Sequence, residues 1–152
     1  MTDPAPAWPH KALRILLPVT GLLLVVQYLL GLWTNAYAPA SGFTSNSSFP
    51  SLDWHYNIGF ALGILGLLVV VVAAFTRKAA YIGFASLLVV GIAIAGVAGM
   101  RFVNSTPNPP VDAVLMGVGF LVAFWASLAL GWFAMGVGRM GRRETVSGSV
   151  ST

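Results

Sequence analysis

Four long apolar runs with no charged residue in their interiors constrain this chain more than any other feature. They cover about residues 15–33, 57–75, 79–100 and 113–138. A transmembrane α-helix needs about 20 mainly apolar residues, and lipid requires each backbone amide to find its partner within the segment. The stretch Leu67–Val72 lacks the alternating polarity of barrel strands. The sequence therefore predicts an all-α, polytopic integral membrane four-helix bundle.

Composition and the chain ends agree with this interpretation. Only 8% of the residues are charged, whereas a soluble domain carries about 25%. We expect one transmembrane domain over residues 13–139. A disordered cytoplasmic lead over 1–12 and a disordered cytoplasmic tail over 140–152 are expected to flank it.

The distribution of lysine and arginine predicts the orientation. Seven of the eight basic residues lie before the first run, between the second and third, or after the fourth, and they are Lys11, Arg14, Arg77, Lys78, Arg139, Arg142 and Arg143. Only Arg101 lies on the other side. Cytoplasmic loops carry the excess of positive charge, so we expect a multi-pass protein of the cell membrane with both termini cytoplasmic. The net charge of +4 then reflects topology, and we expect no nucleic-acid partner.

The first run could also be a cleaved signal peptide, because basic residues precede it and Ala36-Tyr37-Ala38 resembles a cleavage site. However, the run exceeds the usual length of about 7–15 residues, and Pro39 would follow the cut. We therefore predict that the first run is retained as a true span.

The loops hold two sequons and one candidate helix cap. The triplets Asn46-Ser47-Ser48 and Asn104-Ser105-Thr106 fit N-glycosylation, but we interpret both first as polar loop sequence. Asp112 precedes the fourth run and is expected to cap that helix.

The two halves of the chain resemble each other. Gly31 and Asn35 near the end of the first run match Gly99 and Asn104 near the end of the third, and Gly59-Phe60 matches Gly119-Phe120. This pattern predicts two repeated hairpins related by an axis normal to the membrane. Chance similarity between apolar helices is the alternative.

Small residues four apart line three of the runs. They are Gly59 and Gly63, then Gly91, Ala95 and Gly99, then Ala123, Ser127 and Gly131. Close packing of small residues drives helix association in lipid. We expect these stripes to pack within the chain, and a homo-oligomer is the alternative.

Polar candidates for chemistry collect near the outer ends of the first two runs: Gln27, Asp53, His55 and Asn57. Gln27 is expected to hydrogen-bond to another helix. His55 is a ligand type for haem iron, and Gly59, one turn deeper, would admit a flat macrocycle. The other histidine, His10, lies a full membrane away, so an axial partner would have to be Met116, Met100, an open position or His55 of a second subunit. Ordinary interfacial packing of His55 is the alternative.

The pattern Gln27-x3-Gly31-x2-Thr34-Asn35, followed by a polar loop and His55-x3-Gly59, resembles one hairpin of the haem A synthase family over about residues 27–63. That family is built of four-helix units with haem-ligating histidines near helix ends. The resemblance implies that His55 is the haem ligand, with Gln27 and Gly59 beside it. The chain lacks a second-half histidine and a helix-borne glutamate, so a non-catalytic relative fits better than a synthase.

Three functional hypotheses remain from the sequence. The first is a small non-enzymatic membrane protein, an accessory subunit of a larger membrane complex. The second is a module that binds b-type haem or a quinone at His55. The third is a small-molecule channel or lipid-handling protein, for which the sequence has no filter or ring of charges. Hydrolase and phosphoryl-transfer functions lack their motifs.

Overall fold

The described part of the chain forms four long α-helices. The computed structural model describes residues 7–36, 50–105 and 109–147, with side chains over 7–34, 50–105 and 109–136. The helices are α1 (Trp8–Ala36), α2 (Pro50–Phe75), α3 (Ala79–Asn104) and α4 (Pro110–Ser147). Each contains a segment long and apolar enough to cross a membrane, and no strand occurs in the described ranges. The predicted all-α four-helix architecture is confirmed.

The helices extend beyond the predicted spans. α1 begins at Trp8 and α4 continues to Ser147, within the segments expected to be lead and tail. The length of an apolar run predicts only the part of a helix that lies in the hydrocarbon of the membrane. The hydrogen bonds of the helix backbone can continue into the polar sequence on either side. Both α2 and α4 begin with a proline, Pro50 and Pro110. Proline suits the first helical position because its missing N–H would have no partner there.

The helices form a ring in which each has two neighbours. α1 packs against α2 and α4, and α3 packs against the same two helices. We call the end of the ring where α2 turns into α3 the turn end. The opposite end, where α1 and α3 finish and α2 and α4 begin, is the loop end.

The connection between α2 and α3 is a tight turn of three residues, as predicted. Arg77 has a φ of 55°, which lets the chain reverse at once. The Thr76 hydroxyl donates to the Ala73 carbonyl at 2.6 Å and accepts a bond from the Lys78 amide at 3.3 Å. This turn therefore fixes α2 and α3 as antiparallel neighbours.

The large buried apolar side chains lie between the middle of the bundle and the turn end. They include Leu13, Leu17, Leu62, Val69, Leu88 and Leu130, all at most 4% exposed. At the loop end the buried side chains include Leu52, Thr34 and Asp112. Most of the large buried apolar side chains therefore lie in the half of the bundle nearest the turn end.

Candidate functional site

A hydrogen bond between the first two helices marks the centre of the site. The side-chain amide nitrogen of Gln27 on α1 donates to the backbone carbonyl of His55 on α2 at 3.0 Å. The two residues are 28 positions apart in the sequence, so the bond joins separate helices. The predicted bond from Gln27 to another helix is therefore confirmed.

Two glycines allow this contact to form. A Cβ added to Gly31 would lie 3.2 Å from Cε1 of the His55 ring, and one added to Gly59 would lie 3.1 Å from the Gln27 amide nitrogen. Each glycine thus faces the polar side chain of the opposite helix. The spacing Gln27-x3-Gly31 on α1 matches the spacing His55-x3-Gly59 on α2, so these four residues of the sequence motif come together.

Three buried polar atoms at this contact have no hydrogen-bond partner among the described residues. They are Oε1 of Gln27, Oγ1 of Thr34 and Nδ1 of His55. Thr34 is 7% exposed and lies one turn beyond Gly31, on the same face of α1. Buried polar side chains normally have partners. Three unpartnered atoms on one helix pair therefore form a cluster that favours a polar ligand, and we call Gln27, Thr34 and His55 the polar cluster.

The other polar residues near His55 are not part of this cluster. Asp53 and Asn57 on α2 are both exposed. Conversely, Thr34 is included in the cluster, although the sequence indicates it only as part of the motif and not as a candidate site residue. Its position seven residues after Gln27 and three after Gly31 is the pattern that indicates a shared helix face.

The second hairpin makes the corresponding contacts with apolar residues. A Cβ on Gly99 of α3 would lie 3.3 Å from Sδ of Met116 on α4, as Gly31 faces His55. Gly119 faces the backbone of Ala95, as Gly59 faces Gln27. These matched contacts support the predicted repeat. They also place Met116 opposite Gly99, where the first hairpin has His55 opposite Gly31.

The acidic residue at the start of α4 has a different role from the one predicted. Asp112 does not cap the helix, because neither carboxylate oxygen has a hydrogen-bond partner among the described residues. Its side chain is 1% exposed, and Oδ2 lies 3.6 Å from Nε of Arg101 on α3. α4 already begins at Pro110, so Asp112 falls inside the first turn and pairs with the neighbouring helix.

The two sequons fall in different situations. The side-chain amide of Asn104 donates to the Met100 carbonyl at 2.8 Å, so this asparagine forms part of the last turn of α3. Asn46 lies outside the described residues. The contact of Asn104 agrees with a structural role for that asparagine.

The cluster fits a hydrogen-bonded ligand better than a haem. A haem-ligating histidine usually donates its second ring nitrogen to a carbonyl or carboxylate, and Nδ1 of His55 has no such partner among the described residues. The space beside Gly59 is taken by the Gln27 amide. Met116 contacts Gly99 of its own hairpin. Among the described residues, the position beside Gly59 is thus occupied by Gln27, and Met116 lies opposite Gly99.

Comparison with known proteins identifies no relative of this chain. No protein family, curated protein or solved structure matches the chain. Within the parts of the chain that the structure describes, no group of three or more His, Asp or Glu side chains is placed to hold a metal ion. The functional argument therefore depends on the polar cluster.

Proposed function

We propose that this chain is a small non-enzymatic integral membrane protein that binds the headgroup of a lipid-soluble quinone at the polar cluster. The observation that carries the proposal is a pair of buried groups on α1 and α2, the Thr34 hydroxyl and the His55 ring nitrogen Nδ1, which have no hydrogen-bond partner among the described residues and can donate to a ligand. The site would lie near the outer face of the cell membrane, with both termini cytoplasmic, as the basic residues predict.

The donors at the cluster suit a quinone. A quinone headgroup carries two carbonyl oxygens that accept hydrogen bonds, and it offers no donor of its own. The His55 ring N–H and the Thr34 hydroxyl are donors that reach such acceptors. The Gln27 amide already donates to the His55 carbonyl, so its role is to hold α1 and α2 in register. A small ligand site of this kind combines apolar walls with a few placed polar groups.

The test measures the binding of decylubiquinone to the full chain in neutral detergent by isothermal titration calorimetry. We expect Thr34→Val and His55→Ala each to weaken binding by roughly 2- to 12-fold, as the loss of one hydrogen bond predicts. The chain offers a matched control for each variant. Thr20 is also buried, but its hydroxyl donates to the Leu16 carbonyl of the same helix at 2.8 Å, and His10 lies at the turn end. Thr20→Val and His10→Ala should bind as the parent does.

A b-type haem at His55 is the competing ligand, and a spectrum separates it. Protein expressed with haem supplied and then purified should lack a Soret band if the site is a quinone site. A Soret band that His55→Ala abolishes would replace the quinone with haem. Absence of quinone binding, or equal binding by Thr34→Val and Thr20→Val, would reject the quinone proposal.

The second candidate is an accessory subunit of a larger membrane complex, and one observation favours it. Several glycines have no atom of the described chain within 4 Å of a Cβ position, namely Gly63, Gly83, Gly96, Gly117, Gly131 and Gly136. Smooth positions of this kind let a partner helix approach closely. Purification in mild detergent should then return a stoichiometric partner that Gly96→Leu releases. A second copy of the chain in its place would indicate a homo-oligomer, and a monomer would reject both.

Orientation is testable because the chain has no cysteine. Single variants Lys78→Cys at the turn end and Asn104→Cys at the loop end place one thiol at each end. In intact cells a membrane-impermeant maleimide should label Asn104→Cys and leave Lys78→Cys unlabelled. The reverse pattern would place the termini outside.

A further inference from the structure

We propose that the turn end binds the phosphate of an anionic phospholipid between α1 and the α2–α3 turn. The proposal rests on Lys78, Arg14 and His10 and is independent of the polar cluster. Basic pockets between transmembrane helices are known to hold anionic headgroups. Three observations at this end indicate the same site: the positive charges of Arg14 and Lys78, the contacts of the Tyr81 ring, and the His10 ring nitrogen that has no partner among the described residues.

Tyr81 forms the base of the site. Its side chain is 3% exposed, and its hydroxyl donates to the Phe133 carbonyl of α4 at 3.0 Å. The Lys78 ammonium lies 5.7 Å from the centre of the Tyr81 ring. The His10 ring meets the same ring edge-on, with 5.5 Å between centroids. A fixed aromatic ring thus brings a residue of α1 and a residue of the turn to one place.

Arg14 adds a second permanent charge at this level. Its Nε donates to the Ala134 carbonyl of α4 at 3.3 Å, and the two terminal NH₂ groups of the same guanidinium can donate to an anion. A guanidinium held in this way is suited to two phosphate oxygens. The His10 Nδ1 atom is buried and has no partner among the described residues, so it can supply a further hydrogen bond.

The described carboxylates lie at the opposite end. Over residues 7–34, 50–105 and 109–136 the acidic side chains are Asp53 and Asp112, both at the loop end. The positive charges of Arg14 and Lys78 therefore have no carboxylate partner within the described side chains. A bound phosphate would supply the counter-charge that these described side chains do not.

Aromatic residues place the site at the depth of the headgroups. Trp8 packs against Phe75 with 5.2 Å between ring centroids, and Trp8 is 48% exposed. Tryptophan is enriched at the boundary between hydrocarbon and water. The basic residues that flank this pair are thus level with lipid phosphates, and a phospholipid is a better occupant than a soluble anion.

The experiment measures lipid retention by the full chain in neutral detergent with native mass spectrometry. The probes are dioleoylphosphatidylglycerol and dioleoylphosphatidylcholine, which differ in headgroup charge and share their acyl chains. We expect one phosphatidylglycerol to be retained in preference to phosphatidylcholine. Lys78→Gln should weaken that preference about fivefold, which corresponds to about 1 kcal/mol for one basic residue near an anionic surface.

Two controls make the outcome decisive. Arg101→Gln removes one positive charge at the loop end and should leave the preference unchanged, and circular dichroism should show equal helicity for both variants. Equal retention of the two lipids, or an equal effect of Arg101→Gln and Lys78→Gln, would overturn the proposal. If 10 mM inorganic phosphate displaced the lipid, the site would be one for a soluble anion.

Discussion

The two hairpins share one packing geometry and use it with different residues. In the α1–α2 hairpin the glycines face polar side chains, Gln27 and His55, across the contact. In the α3–α4 hairpin Gly91 and Gly119 face backbone atoms of the opposite helix. The second hairpin is therefore a close backbone-to-backbone contact, whereas the first leaves room between its helices for functional groups.

This difference separates stability from chemistry within the molecule. Small residues that let backbones meet give strong association in lipid, and the α3–α4 hairpin has them at the centre of its contact. The α1–α2 hairpin instead buries polar atoms that have no partner among the described residues, which costs free energy unless another group binds them. In the proposed function, the second hairpin is the rigid support and the first is the binding element.

The largest expected effect comes from Gly91→Ala. The new Cβ would lie 2.6 Å from the Ala123 amide nitrogen and 2.7 Å from the Gly119 carbonyl oxygen. Backbone atoms cannot rotate away, so α3 and α4 must separate. We expect a loss of about 3 kcal/mol in the free energy of unfolding, measured by denaturation in mixed micelles.

The control for this variant lies on the same helix. A Cβ on Gly96 has no neighbour within 4 Å, so Gly96→Ala should change the stability by less than about 1 kcal/mol. Equal effects of the two substitutions would remove the distinction between the hairpins.

An intermediate effect is expected at the ion pair between α3 and α4. Arg101→Gln leaves the Asp112 carboxylate, 1% exposed, without its counter-charge. We expect a loss of about 2 kcal/mol, less than for a fully buried pair because Arg101 is 65% exposed. Adding Asp112→Asn should restore part of the loss, so a double-mutant cycle in the same unfolding assay should give a coupling energy. Additive effects of the two substitutions would mean that the pair contributes nothing.

The smallest effect is expected in the first hairpin. Gln27→Leu removes the bond to the His55 carbonyl and should cost about 1 kcal/mol. The acceptor is a backbone atom, so His55→Ala keeps the bond. Effects of Gln27→Leu and His55→Ala on stability should therefore add to within about 0.5 kcal/mol. Strong coupling would show that the His55 ring helps to hold the helices together and would weaken its assignment to a ligand.

The sequence predicted the four helices, the short turn and the cross-helix role of Gln27, because each depends on a local pattern. The length of an apolar run, the residues of a turn and an isolated amide in an apolar helix can each be interpreted from one segment of the sequence. The motif grouped His55 with Gln27 only through the family resemblance, and the structure shows that His55 supplies the acceptor for Gln27. The binding role of this contact remains a prediction.

The features that the sequence did not predict depend on the depth at which two helices cross and on which residue of the adjacent helix lies opposite. The stripe predicted on α4 ran through Ala123, Ser127 and Gly131, yet Gly119 makes the closest backbone approach and Gly131 meets nothing within 4 Å. Spacing along a helix defines a face but not the level at which another helix crosses it. For the same reason Asp112 was assigned to its own helix end, when its partner, Arg101, lies on the adjacent helix.

The three-residue turn that carries Arg77 has a consequence for how two such hairpins can diverge. A tether of this length holds its two ends at an effective concentration far above that of separate molecules, so the halves need little affinity for each other. When two identical hairpins dimerise, a single gene encodes both, so every substitution appears in both copies. Once the two hairpins are joined in one chain, each can change independently of the other. One half can then lose tight contacts and gain unpaired polar groups while the covalent link preserves the assembly.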